Sequence, residues 1–249
     1  LGGSGLGAPL IVGILSAQTG ARGISIMAIT KAEFMAMTPR PYSEVRDQLM
    51  TGDILLFSSV GGFSSVIEEA TDSLWSHAGL IWRVGEVGLD RVLILESIEN
   101  VGIRAVAAGS RLNGTPAAPR PYDGHLVVAR HGGLPQPLPA GRAVDMTRFG
   151  IDHLGYPYSP GELVKIASRI TLGILGISLP GELEPTKAYI CSEFVAKCFD
   201  AVGIDLAPDR RGFMAPADIA ADPNVTPFLA LRPDPVAPPP PEAGSAPAS

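Results

Sequence analysis

Two cysteines in 249 residues are too few for a disulfide framework, and Cys191 and Cys198 stand as C-x6-C without the nearby histidines a zinc site uses. Histidine is scarce too: there are four, and no pair shows H-x3-H or H-E-x-x-H spacing, so a zinc site drawn from His77, Glu96 and another histidine has no motif behind it. Basic residues are outnumbered, 19 Lys and Arg against 25 Asp and Glu, for a net charge of -6 and a pI near 5.2. No Lys/Arg cluster offsets that balance, which argues against a nucleic-acid partner. Long apolar runs are missing as well. Residues 9–17, PLIVGILSA, resemble the apolar part of a signal peptide, but no basic residue precedes them. The run is also far below the roughly 18 residues of a membrane span. A buried or interfacial segment is expected there, which favours a cytoplasmic protein and leaves export open.

What the chain does have is apolar residues, 46% of it, enough for a sizeable core in one domain. Three divisions are read along it: a helical and apolar lead-in over 1–41, a main domain over 42–231, and a tail over 232–249. The tail, RPDPVAPPPPEAGSAPAS, cannot bury enough apolar surface to order itself. Residues 23–51 read as helical, broken at Pro39 and Pro41, with Ser43 as an N-cap. A strand-rich block follows in GDILLFSS, SHAGLIWRV, DRVLILESI, GIRAV and HLVVAR. Within it, FSSVIEEATDS is a helix candidate, 85–90 a short turn, and 109–124 a Pro/Gly loop. Helical patterning then covers 140–154, 160–176 and CSEFVAKCFDAVG, the last capped by Gly203. A lead-in, a small antiparallel sheet and then helices make an α+β fold rather than alternating βαβ units.

Cys191 heads the last of these helices. In a first helical turn, unpaired N–H groups favour thiolate over thiol and so a better nucleophile; the alternative is a buried structural cysteine. Cys198, on the apolar side of the same helix and roughly 10 Å away by helical rise, reads as core. His77 lies on a strand and shares a face with Gly79 and Ile81, and Gly79 leaves room beside the imidazole. It is either a packed histidine or one half of a catalytic pair. Glu96 is costly to bury alone. The short turn brings it back beside His77, where it would orient the imidazole; a salt bridge to Arg104 or an edge position in solvent are the alternatives. His125, His131 and His153 read as surface residues.

These residues sit in TGDILLFSS, in SLWSHAGLI followed by LESIENVGIR, and in YICSEFVAKCFDAVGI, and together the three stretches resemble the permuted papain-like amidases of the YaeF/YiiX type, within the NlpC superfamily. The resemblance covers roughly residues 42–215. It implies a circularly permuted papain-like fold, with His77 as general base, Glu96 as its orienting partner and Cys191 as nucleophile. It further implies a cysteine hydrolase acting on an amide, ester or thioester through an acyl-enzyme, with no metal or organic cofactor. Peptide, acyl-lipid or other amide and ester substrates are the expected partners. An acyltransferase on lipids and a non-enzymatic module with the same fold are the alternatives. LGYPYSPGEL resembles an aromatic segment of that family, so Tyr156 or Tyr158 is expected to line the cleft; Tyr189, two residues before Cys191, and Trp75 and Ser76, just before His77, are further candidates for substrate contact. Residues 170–180, ITLGILGISLP, read as an acyl-facing wall with peripheral membrane contact, or as a core helix.

Overall fold

In the computed structural model of the chain, residues 29, 31–58, 73–86, 89–157, 190–206 and 214–235 are described. The centre is a seven-stranded sheet in the order β1-β9-β8-β2-β3-β4-β5. Its strands are β1 (Arg40–Pro41), β2 (Ile54–Phe57), β3 (His77–Glu86), β4 (Leu89–Ile98), β5 (Gly102–Ala107), β8 (Leu126–His131) and β9 (Val225–Arg232). Every neighbouring pair is antiparallel except β1 with β9, so the sheet is mixed and larger than the small antiparallel sheet expected. The short β6 (Gly114–Thr115) and β7 (Ala118–Pro119) form a separate hairpin. Six helices complete the described residues: α1 (Lys31–Ala36), α2 (Tyr42–Val45), α3 (Ala108–Asn113), α4 (Ala140–Asp152), α5 (Cys191–Asp200) and α6 (Pro216–Ala221), with a 3-10 turn at Arg46–Gln48.

β2 is apolar at every position because it lies mid-sheet and is covered on both faces. Ile54 and Leu56 point to one side, with Ala78, Leu80 and Leu95, where Phe194, Val195 and Cys198 of α5 meet them. Leu55 and Phe57 point to the other, with Ile81 and Ile94, toward Tyr42 of α2 and Ala108 and Leu112 of α3. Phe194 is completely buried, and burial of a side chain that size stabilises by roughly 1.5–3 kcal/mol. The lead-in is tied into the same core: Phe34 packs edge-on against Trp75 at 5.3 Å, and the Trp75 indole donates to the Ile29 carbonyl.

Several expectations need correction. Ser43 is not an N-cap; it lies inside α2, and its backbone N–H donates to Asp234. The loop expected over 109–124 opens with α3, and β9 had no counterpart among the expected strands. The expected tail begins inside the fold, since Arg232 closes β9 and Asp234 bonds to Ser43 and Asn113. His131 is buried against Phe199 rather than exposed, and burial holds its pKa down. The helices expected in FSSVIEEATDS and over 160–176, and the apolar stretch 170–180, lie outside the described residues.

Candidate active site

α5 has the sequence CSEFVAKCFD, whose apolar residues recur every three or four positions and turn one stripe onto β3 and β4. Glu193 accepts the N–H of Ile190 at the helix start, and the Ser192 hydroxyl donates to the Met214 carbonyl at 2.7 Å. Gly203, at φ +75°, takes the left-handed turn that ends the segment. These contacts set the N-terminus of α5 at the beginning of β3, where Cys191 meets His77.

β3 and β4 pair with Leu80 opposite Leu95. Glu96 is therefore diagonal to His77 on the same face, one step from the level position the turn suggested. Gly79 makes the diagonal reachable: a Cβ there would sit 2.7 Å from Ile94 Cγ2 and 3.6 Å from Glu96 Cβ. The space beside the imidazole is occupied by β4. His77 Nε2 donates to Glu96 Oε2 at 2.9 Å, which leaves Nδ1 for the Cys191 thiol to which the ring also hydrogen-bonds. The Phe57 ring lies 5.0 Å from the imidazole and fixes its other flank.

Glu96 is wholly buried and surrounded by cations. Arg104, directly opposite on β5, donates through Nε and Nη2 to Oε1 at 3.0 and 2.7 Å. Arg111 of α3 donates through Nε to both oxygens at 3.2 Å. The two readings of Glu96, partner of His77 or of Arg104, describe one arrangement. Arg111 was not anticipated. It belongs to a segment read as loop, and the signal that marks α3 is the short AAGSRLNG run closed by Asn-Gly.

Burial alone would raise Glu96, but His77, Arg111 and Arg104 bring it down to about 2. Burial would depress His77, yet the charge of Cys191, its hydrogen bond and the Glu96 carboxylate push it up to about 9. Burial would raise Cys191; the charge and hydrogen bond of His77, with the N–H groups of Ala78 and Ser192, lower it instead. A raised imidazole beside a lowered thiol is the signature of a thiolate–imidazolium pair. Cys198 is the contrast: burial alone acts on it and drives its pKa up. Both cysteines are free.

The remaining candidates fall out differently. Trp75 is completely buried with its indole bonded to Ile29, so it backs the site as a core residue instead of lining it. Ser76 is also buried, its hydroxyl donating to the Phe57 carbonyl at 3.4 Å. Tyr158 and Tyr189 lie outside the described residues. Tyr156 is described and partly exposed, its carbonyl accepting from Ile103. A cavity of about 600 Å³ opens on the α2 and α3 side, lined in part by Tyr42, Arg46, Val92 and Asn113, and includes none of Cys191, His77 and Glu96.

Neither protein-family models nor curated proteins give a match to this sequence. Among solved structures, the metalloprotein YiiX from Escherichia coli O157:H7 superposes with a TM-score of 0.51 at 18% identity, over 73% of this chain and 97% of that one. An α+β chain with a mixed sheet packed against helices, it shares its fold with YiiX.

Proposed function

We propose that the chain is a cysteine hydrolase of the permuted papain-like kind, cleaving an amide, ester or thioester bond through an acyl-enzyme on Cys191. The observation that carries this reading is the bridging position of His77 between the Cys191 thiol and the Glu96 carboxylate. The chain order of histidine, acid and cysteine supports the permuted arrangement. In the first step the Cys191 thiolate attacks the carbonyl carbon, and the His77 imidazolium gives its proton to the leaving group. Neutral His77 then takes a proton from water, whose oxygen displaces Cys191 from the thioester. The carboxylic acid leaves, and the proton returns to the pair. Glu96 holds the imidazole in one tautomer and stabilises its charged form. An amine or alcohol in place of water makes the same site a transferase.

YiiX is named a metalloprotein, so the donor set here bears on whether the same chemistry fits this chain. Both Glu96 oxygens are engaged by His77 and the two guanidiniums. Among the described residues no group of three or more His, Cys, Asp and Glu side chains is arranged to hold a metal ion. As the described residues hold them, Cys191, His77 and Glu96 do not fit a metal centre.

Acyl capture tests the proposal. After brief exposure to p-nitrophenyl acetate, peptide mapping is expected to find the acetyl group on Cys191. His77→Ala should slow acylation about a hundredfold, and Cys191→Ala should abolish it. Acylation elsewhere, or a rate indifferent to His77, refutes the reading.

A further inference from the structure

We propose that Arg104 and Arg111 are positioning residues, a two-guanidinium clamp that fixes the Glu96 carboxylate so that Oε2 faces His77. The proposal rests on the hydrolase reading above and adds a part of the machinery to it.

A glutamate carboxyl turns about a broad, two-fold terminal torsion, so a single hydrogen bond leaves its orientation poorly defined. Here the two oxygens are treated differently. Arg104 reaches only Oε1, with two bonds, and Arg111 spans Oε1 and Oε2 through one nitrogen. The stronger cation contacts thus pin Oε1, and Oε2 is left turned toward the imidazole at 2.9 Å. Arg111 is itself held: its guanidinium lies 4.8 Å from the Phe57 ring centre and 5.4 Å from that of Tyr122. The Phe57 ring is the one packed on His77, and the Tyr122 hydroxyl is anchored on the Ser58 carbonyl. One aromatic wall therefore sets both the imidazole and the cation that aligns its partner.

A single cation would neutralise a buried carboxylate. Two guanidiniums from different elements, β5 and α3, converge on this one in addition to His77. Among the described residues, the charged groups that bond to Glu96 are His77 from β3, Arg104 from β5 and Arg111 from α3, with Cys191 of α5 acting through His77. Without the guanidiniums, burial raises the affinity of Glu96 for a proton, and a protonated Glu96 no longer supports the imidazolium. The clamp thus keeps the cysteine reactive on the acid side.

The test is the pH dependence of iodoacetamide alkylation at Cys191, read by peptide mapping of the full chain between pH 4 and 8. Arg104→Gln with Arg111→Gln is expected to move the acid limb upward by at least one pH unit. With an ester substrate the same variant should lower kcat with KM unchanged, as neither arginine is placed on the substrate. Arg111→Lys keeps the charge without the planar guanidinium that lies on Phe57 and spans both oxygens through Nε, and should hold the acid limb where the unaltered protein has it but not the full kcat. If the double variant does not fold, Arg104→Gln alone and Arg111→Gln alone carry the test, each expected to shift the limb the same way by a smaller amount. Superimposable profiles in folded variants overturn the proposal. His77→Ala separates the two levels: if alkylation of the unaltered protein does not depend on His77, the hydrolase reading fails. If it depends on His77 but not on the arginines, only the clamp fails.

Discussion

Replacing Glu96 with Gln removes one negative charge from a site with three cationic partners and changes the side-chain shape very little. An amide keeps one acceptor oxygen, so Arg104 can retain a bond. The NH2 group then faces either His77 Nε2–H or the Arg111 Nε–H, donor against donor. Glu96 is 0% exposed, so water cannot compensate. Two independent estimates give the size of the loss. Lowering Glu96 from its ordinary 4.5 to about 2 on folding corresponds to about 3 kcal/mol. Breaking a buried ion pair by removing one partner typically costs roughly 3–5 kcal/mol. The sign with pH follows from a depressed carboxyl. The contribution is fully present above 4.5 and is lost as pH falls through about 2. Urea unfolding, followed by the fluorescence of Trp75 and Trp82, should show unaltered protein and Glu96→Gln about 3–5 kcal/mol apart at pH 7. The gap should narrow steadily below pH 4.5. A difference under about 1 kcal/mol at pH 7, the size expected for an exposed pair, or one that does not shrink toward pH 3, refutes the account of Glu96 as a buried, ionised hub.

Three more outcomes follow from the same geometry. Cys191 and Cys198 are both buried, yet iodoacetamide at pH 6 should modify Cys191 and spare Cys198, because only the first is paired with a cation; equal labelling by peptide mapping rejects the thiolate at Cys191. His77 is held charged up to about 9, so on the proposed hydrolase reading cleavage of an alkyl ester, whose alkoxide leaving group needs a proton, should fall as pH rises through that value. Alkylation, which needs only the thiolate, should persist there; parallel decline of the two rates argues against His77 as the acid. Gly79→Ala forces a Cβ to 2.7 Å from Ile94 Cγ2, and denaturant titration should show a loss of about 1–3 kcal/mol, with slower alkylation of Cys191 as Glu96 is displaced. Unchanged stability and reactivity contradict the close β3–β4 contact.

Local pattern was enough for the pieces of the site. The apolar stripe of CSEFVAKCFD, its Gly203 terminator and the cysteine at its head are all near-neighbour information, and α5 forms where they place it. The β3–β4 hairpin is similarly local: a short turn between two apolar runs puts His77 and Glu96 on one face, although the register moved Glu96 to the diagonal. Strand β9 escaped because Thr226, Pro227 and Phe228 break its apolar alternation, and its pairing is set by β8, almost a hundred residues earlier in the chain.

The sequence by itself thus determined the segments that carry their own apolar pattern, α5 and the β3–β4 hairpin, and that Cys191 would open a helix. Tertiary structure alone decided what those segments face. The Cys191–His77 contact joins residues on α5 and β3, and it exists because the core side chains of α5 seat on Leu80 and Leu95. Arg111 reaches Glu96 because α3 packs over Phe57. Charges that far apart in sequence have no periodicity to read. Their meeting is settled by the packing of two apolar faces on one sheet, and burial then makes each charge depend on the next.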